Sequence, residues 1–151
     1  MNDSAPSPTA GYRHMIPMTI RYGDMDTLGH VNNAKYLTYV EQGRIHYVRD
    51  LGLWDGGLSE YGMIVARITI DYKLPLTMDD GTVQVWTRTS RLGNKSFDVE
   101  SLIVTERTGT PAVAATAHAV IVTMDYQNNV PVAIPQAWRD IVTTYEPALQ
   151  G

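Results

Sequence analysis

The segment from Arg21 to Arg44 reads RYGDMDTLGHVNNAKYLTYVEQGR, and in it a polar loop runs directly into an amphipathic helix. Two aspartates, one histidine and two asparagines lie within the ten residues from Asp24 to Asn33. A plain connector needs about one such side chain, to cap the helix that follows it. The surplus of polar groups indicates that this loop has a chemical role.

The residues after the loop have the period of a helix. Apolar positions recur at gaps of three and four, which predicts a helix from about Asn33 to Leu51 that stops at Gly52. The members of this stripe are Tyr36, Val40, Gly43, Tyr47 and Leu51, with Leu37 and Val48 beside it. A glycine inside a helix costs about 1 kcal/mol relative to alanine. Gly43 therefore predicts a close approach of the helix backbone to another layer.

The rest of the chain alternates with period two, as strands do. One short strand precedes the loop, four follow the helix, and a short helix begins near Pro135. Strands in antiparallel order with one long helix indicate an α+β domain, and the sheet must curl round the helix to be covered by it. This arrangement is similar to the hotdog fold, in which a curved antiparallel sheet of about five strands wraps one central helix. The expected domain spans residues 13–151, after a disordered leader over residues 1–12 that is rich in Pro, Ser and Ala.

Composition excludes several classes of function. The chain has 151 residues, a net charge of -4 and no cysteine, which argues against a nucleic-acid surface, thiolate chemistry and disulfides. No apolar run approaches the ~20 residues that span a bilayer. The four histidines are scattered, so we expect no multi-histidine metal site. The start of the chain does not have the pattern of a secretory signal, and a cytoplasmic protein is expected.

The loop contains the parts needed to attack an acyl carbonyl. Either Asn32 or Asn33 can cap the helix, and Asp24 can close a turn at the end of the first strand. Asp26 lies closer to the positive end of the helix dipole. A carboxylate beside free helix-terminal N–H groups provides a base or nucleophile together with an oxyanion site.

The amides from Val31 to Asn33 are expected to be unpaired, because the first turn of a helix has no internal acceptors for its N–H groups. Gly29 permits a sharp bend and a close approach of substrate to the backbone. We therefore expect an acyl-transfer site at the N-terminus of the helix.

This run of residues resembles the 4-hydroxybenzoyl-CoA thioesterase-like branch of the hotdog superfamily. The positions that match that family's pattern are Asp24, Asp26, Gly29, His30, Val31, Asn32, Asn33, Tyr36, Glu41 and Arg44. The resemblance implies an acyl-CoA thioesterase whose catalytic carboxylate is Asp26 and whose oxyanion donor is the backbone N–H of Asn33. It leaves open whether Asp26 is a nucleophile or a general base. It also leaves open whether His30 and Asn32 orient substrate or water, or only form hydrogen bonds within the loop.

The resemblance further implies how the substrate is bound. Coenzyme A belongs to the substrate, and no separate cofactor or metal is expected. Tyr36, Leu37 and Val40 are expected to line an apolar acyl tunnel, with Gly29 and Val31 close to the thioester. Candidates for the coenzyme phosphates are Arg88, Arg91, Lys95 and Ser96, which can equally be ordinary charges at a strand turn.

Two further points concern the helix and the assembly. Glu41 is expected to form an ion pair or hydrogen-bond network with Arg44, one helical turn on. The alternative is that Glu41 is a second catalytic carboxylate. The resemblance implies a homodimer whose sites lie between subunits, and the strand from Met63 to Tyr72 is the expected pairing edge. Further assembly to a tetramer is common in that family. The acyl group, aryl or aliphatic, is left open, as is the choice between coenzyme A and a carrier protein.

Three other readings compete with the thioesterase. Hotdog hydratases use an aspartate and a histidine, but their loop usually has Asn-Pro and one more residue, where this chain has Thr27, Leu28 and Gly29. A non-catalytic module that binds acyl-CoA or an acyl carrier would not need Asp26. A metal held by Asp24, Asp26 and His30 would need a further ligand that the loop does not offer.

Overall fold

The computed structural model describes residues 6–54 and 60–150, which form one sheet and two main helices. The elements in chain order are β1 (His14–Thr19), α1 (Asn33–Asp50), β2 (Tyr61–Tyr72), β3 (Thr82–Leu92), β4 (Ser96–Thr105), β5 (Ala112–Asp125), β6 (Val130–Pro131) and α2 (Gln136–Tyr145). Short 3-10 turns lie at Tyr22–Asp24, Met78–Asp80 and Pro147–Gln150. None of the helices in these residues is long and apolar enough to cross a membrane.

The sheet is antiparallel throughout and has the order β1-β3-β4-β5-β2. A two-residue strand, β6, adds to β5 beyond the five main strands. Because α1 covers one face of the curled sheet, the predicted α+β hotdog architecture is confirmed. β1 and β2 are the two outer strands of that order, so each has one edge without a neighbour among the described residues.

The inner face of the sheet is apolar because strand side chains alternate between faces. In β3, Val83, Val85, Thr87 and Thr89 are buried, and the residues between them are only half-buried. Val83 and Val85 pack with Tyr36 and Val40 of α1 in the main core. The predicted close approach at Gly43 is confirmed, since an ideal Cβ there would lie 2.5 Å from Cγ1 of Val85 and 3.0 Å from Oγ1 of Thr87.

This contact predicts that Gly43→Ala destabilises the protein, although alanine is the better helix former by about 1 kcal/mol. The added methyl must displace Val85, whose branched side chain is stiff and buried, and overpacking of this kind costs about 1–3 kcal/mol. The measurement is the free energy of unfolding in urea. In a Val85→Ala background the same Gly43→Ala change should cost less, and equal costs in both backgrounds would contradict the contact.

The limits of α1 follow from its end residues. Asn32 caps the first turn by accepting a hydrogen bond from the N–H of Ala34 at 2.9 Å. Gly52 has a φ of +82°, which favours glycine, and its N–H donates to the carbonyl of Arg49. The predicted helix from about Asn33 to Leu51 is therefore confirmed to within one residue.

The C-terminal helix α2 covers the second half of α1. Val142 packs against Tyr47 and Val48. Just after the helix, the buried carboxylate of Glu146 accepts from the N–H of Thr89 at 2.7 Å and from the hydroxyl of Tyr47 at 3.1 Å. Burial raises the pKa of Glu146 despite these hydrogen bonds. The end of the chain is therefore anchored to both the sheet and the central helix.

The predicted disordered leader lies partly outside the described residues, since residues 1–5 are not described. Residues 8–11 form a turn in which the N–H of Tyr12 donates to the carbonyl of Thr9. The guanidinium of Arg88 lies 4.3 Å from the ring centre of Tyr12. Tyr12 thus packs on the outer face of β3, so at this residue the leader contacts the domain.

Candidate active site

The first aspartate of the loop, Asp24, is a buried structural group with 1% of its surface exposed. Its carboxylate accepts from the hydroxyl of Tyr39 at 2.6 Å and from the N–H of Arg21 at 3.0 Å. Burial alone would raise the pKa of Asp24, but these hydrogen bonds outweigh it and hold that pKa below its usual range. Asp24 therefore fixes the loop to α1 and does not face the cavity described below.

The second aspartate, Asp26, is half-buried and is held by the loop itself. Its Oδ1 accepts from the N–H groups of Leu28 at 2.8 Å and His30 at 3.1 Å. Its own N–H donates to the carbonyl of His30, and Gly29 makes the bend with a φ of +83°. Oδ2 accepts no hydrogen bond from the described residues, so the carboxylate is oriented with one oxygen available for chemistry.

The expectation of three free amides at the start of α1 is wrong for two of them. The N–H of Val31 donates to the carbonyl of Leu76, and that of Asn32 donates to the carbonyl of Asp24, each at 2.8 Å. Both N–H groups are hydrogen-bonded because the loop contacts the segment after β2, through Leu76, and folds back on its own beginning at Asp24. Asn33 is therefore the one residue of these three whose N–H has no acceptor among the described residues.

Asp26 and Asn33 line one cavity of about 430 Å³ between the loop and the end of β2. The other lining residues are His30, Val31, Tyr36, Tyr72, Lys73, Leu74 and Pro75. The walls are held by hydrogen bonds from the tyrosines. The hydroxyl of Tyr36 donates to the carbonyl of Leu74 and accepts from the N–H of Leu76, each at 2.9 Å, and the hydroxyl of Tyr72 donates to the carbonyl of Asn33 at 3.1 Å.

The side chains of His30 and Asn32 differ in role. Asn32 caps α1 with its side-chain oxygen, which accounts for it without any catalytic function. The exposed imidazole of His30 lines the cavity, and among the described residues no side-chain hydrogen bond engages it. His30 therefore keeps the geometry of a group that can orient substrate or water.

The sequence analysis did not predict a role in this region for Tyr39, Tyr72, Lys73, Leu74 or Pro75. Tyr39, which holds Asp24, falls one position outside the predicted stripe. Tyr72 and Lys73 reach the cavity because the end of β2 lies against the loop, where the Leu76 carbonyl accepts from Val31. The one local signal for a site here was Lys73, a charged residue that directly follows the strand and shortly precedes Pro75. Nothing in the local pattern shows which loop that strand end meets.

The predicted acyl tunnel is only partly formed by its predicted residues. Tyr36 lines the cavity, whereas Val40 is 2% exposed and packs in the core. Leu37 is half-buried and lies outside the cavity lining. Glu41 is exposed and lines a different cavity, together with Arg44. The expected ion pair between Glu41 and Arg44 is absent from the salt bridges of the described residues.

The candidate phosphate-binding residues lie on the other face of the sheet or at its far end. Arg88 bonds to Glu100 at 2.6 Å, and Arg91 bonds to Asp98 at 2.9 Å. Ser96 accepts a 3.3 Å hydrogen bond from Arg91, and Lys95 is exposed in the turn between β3 and β4. Within one protomer none of these four residues lines the Asp26 cavity. Their role toward coenzyme A stays a prediction.

Comparison with known proteins shows the family to which this chain belongs. The family model described as the thioesterase-like superfamily matches residues 20–142, which begin just after β1 and include the loop, α1 and the strands β2 to β5. The chain belongs to the thioesterase-like superfamily. The putative acyl-CoA thioesterase YneP of Bacillus subtilis is 30% identical over 132 residues, covering 85% of this chain and 92% of that protein.

Two solved structures of other proteins are similar in fold to this chain. A thioesterase from Thermus thermophilus, crystallised with coenzyme A and zinc, is 32% identical with a TM-score of 0.77, covering 91% of this chain and 98% of that one. The PA5185 protein of Pseudomonas aeruginosa is 30% identical with a TM-score of 0.79, covering 89% and 92%. This superfamily member is therefore a thioester hydrolase with a hotdog fold.

Proposed function

We propose that this thioesterase hydrolyses acyl-CoA thioesters, with Asp26 as the reactive carboxylate and the N–H of Asn33 as the oxyanion donor. The observation that supports this most directly is that both groups line one cavity. Oδ2 of Asp26 and the N–H of Asn33 have no partner among the described residues. The adjacent groups, Oδ1 of Asp26 and the N–H groups of Val31 and Asn32, are all hydrogen-bonded. A free acceptor and a free donor on one wall can meet the carbon and the oxygen of the same carbonyl.

Two chemical routes fit this arrangement. In the nucleophilic route, Oδ2 attacks the thioester carbon, the carbonyl oxygen becomes an oxyanion beside the Asn33 N–H, and the carbon–sulfur bond breaks. The thiolate leaves and takes a proton from water, and a second water then hydrolyses the acyl-aspartyl anhydride. In the general-base route, Asp26 takes a proton from a water that attacks the same carbon, and then returns that proton to the departing sulfur.

A labelled oxygen in Asp26 after a single turnover in ¹⁸O-labelled water identifies the nucleophilic route. It arises when water attacks the aspartyl carbon of the anhydride, and the product then carries an unlabelled oxygen from Asp26. Water that attacks the acyl carbon of the anhydride labels the product alone. General-base attack places one labelled oxygen directly in the product and leaves Asp26 unlabelled. Loss of enoyl absorbance without release of thiol would instead indicate a hydratase and would overturn both routes.

We propose that the enzyme is a homodimer paired through the open edge of β2. This edge displays apolar side chains that a lone protomer leaves exposed, namely Tyr61, Ile64, Val65, Ile68 and Tyr72. An unpaired apolar edge strand of this length invites pairing with another strand, and a two-fold axis satisfies both copies at once. The cytoplasm is the proposed location, as the sequence predicted.

A charge placed at this edge should separate the subunits. Ile68→Asp is expected to convert the dimer to a monomer, because two carboxylates would be buried close to the two-fold axis. The measurement is molar mass by light scattering together with thiol release, and both should fall in parallel. Met78→Asp, another exposed apolar-to-acid change, is the control. A dimer that persists in Ile68→Asp would contradict the proposed edge.

A further inference from the structure

A second cavity, of about 480 Å³, lies between the second half of α1 and the beginning of β2. Its lining is mainly apolar and comprises Glu41, Arg44, Ile45, Val48, Leu53, Trp54, Tyr61, Gly62, Met63, Ile64, Val65, Phe97, Ile121 and Tyr126. We name it the Arg44 cavity. A cavity of this size and lining suits a hydrocarbon group, and its two charged residues are the features that can confer selectivity.

Arg44 is the unusual group in this cavity. Its Nη1 is buried and, among the described residues, has no hydrogen-bond partner. Glu41, one turn earlier on the helix, is exposed, and no salt bridge among the described residues joins it to Arg44. Burial lowers the pKa of Arg44, although the charge of Glu41 opposes this. A guanidinium has five N–H donors, and leaving one buried and unpaired is unfavourable unless a ligand satisfies it or reorients the group.

The strand β2 connects this cavity with the catalytic one. Tyr61 to Val65 line the Arg44 cavity, and Tyr72 lines the Asp26 cavity. From Val65 to Tyr72 a strand covers about 23 Å at ~3.3 Å per residue, which is too far for a short acyl group. When β2 pairs antiparallel with its own copy, the first residues of one strand lie against the last residues of the other. Pairing therefore brings the Asp26 cavity of one subunit beside the Arg44 cavity of its partner.

We propose that the Arg44 cavity binds the acyl part of the substrate whose thioester lies at Asp26 of the other subunit, and that Arg44 selects acyl groups with an oxygen acceptor at their far end. This inference rests on the proposed function and on the β2 dimer. An acyl group that ends in a methyl would leave the buried Nη1 of Arg44 unpaired. One that ends in a carboxylate or a hydroxyl would accept a hydrogen bond from it, with a further electrostatic gain for the carboxylate.

Matched substrates test the selectivity. Wild type and Arg44→Met are assayed by thiol release with hexanoyl-CoA, 6-hydroxyhexanoyl-CoA and adipoyl-CoA, which differ only at the far carbon. We expect wild type to favour at least one oxygenated substrate over hexanoyl-CoA by about tenfold or more in kcat/KM, the scale of a hydrogen bond to a charged group. Arg44→Met should bring this ratio close to one, and Arg44→Lys should retain part of it. The substrate that gains identifies the acceptor as hydroxyl or carboxylate.

Two results would overturn the selectivity. One is a wild-type ratio near or below one for both oxygenated substrates. The other is a ratio that stays unchanged in Arg44→Met, with thermal unfolding showing that the variant is folded. If Asp26→Asn also hydrolyses hexanoyl-CoA at the wild-type rate, the proposed function fails. If only the ratio is insensitive to Arg44, the further inference fails alone.

Mixed dimers test the contribution of the two subunits. Asp26→Asn homodimers should be inactive, and Arg44→Met homodimers should be active without the preference. A dimer of one Asp26→Asn chain and one Arg44→Met chain joins an intact Asp26 to an intact Arg44 across the interface. We expect it to regain the wild-type preference. Retention of the Arg44→Met ratio in the mixed dimer would place both residues in one subunit's site and overturn the inference.

Discussion

Replacing Asp26 with asparagine is expected to lower kcat for thioester hydrolysis at least ~100-fold, the scale for losing a positioned proton-transfer group. Asparagine keeps Oδ1 as an acceptor for the N–H groups of Leu28 and His30, so the loop keeps its shape. It loses the free carboxylate oxygen that either route requires. The measurement is thiol release from a panel of acyl-CoA substrates at saturating concentration.

The matched control for this prediction is Asp79→Asn, the same chemical change at an exposed aspartate outside the cavity. Both variants should unfold at temperatures close to that of wild type, and Asp79→Asn should retain its activity. Equal kcat values for wild type and Asp26→Asn would reject the assigned chemistry. A low kcat combined with a large drop in melting temperature would show that Asp26 acts through the fold.

The neighbouring aspartate should behave in the opposite way. Asp24→Ala is expected to destabilise the protein by about 3 kcal/mol, because it leaves the buried hydroxyl of Tyr39 and the N–H of Arg21 without an acceptor. For a chain of this length that corresponds to a fall in melting temperature of roughly 6–12 °C. The measurement is urea unfolding, and adding Tyr39→Phe should recover part of the loss. Purely additive effects in this double-mutant cycle would contradict the coupling.

The contribution of Asp24 also has a defined pH dependence. Its folded-state pKa lies below the ordinary value of 3.8, so the native state favours the charged carboxylate. The stabilisation is complete above the unfolded pKa and is lost as pH falls through the folded pKa. We expect the gap in unfolding free energy between wild type and Asp24→Ala to be full near pH 6 and to shrink below pH ~4. If the difference in unfolding free energy between wild type and Asp24→Ala grew as the pH fell, the stabilising role of the charged Asp24 would be contradicted.

The loop before α1 was predicted from the sequence only in part. The Asp26 and Asn33 assignments came from a local pattern, and both residues do lie on one cavity wall. The pattern could not show which amide is free, because the acceptor for Val31 is the carbonyl of Leu76, far along the chain. Lys73 was missed for the same reason. Hydrogen bonds between segments that are distant in sequence produce no periodic pattern of residues, so the sequence does not predict them.

The amino-acid sequence by itself determined the elements of this protein and the polar groups that its loop carries. A helix needs apolar residues at gaps of three and four, a strand needs alternation, and Gly43 marks where the two layers touch, so all of these are local signals. Only the tertiary structure decided which polar groups are paired and which remain free, and that β2 borders both cavities. Those features depend on contacts between segments that are distant in sequence, and no local pattern specifies such contacts.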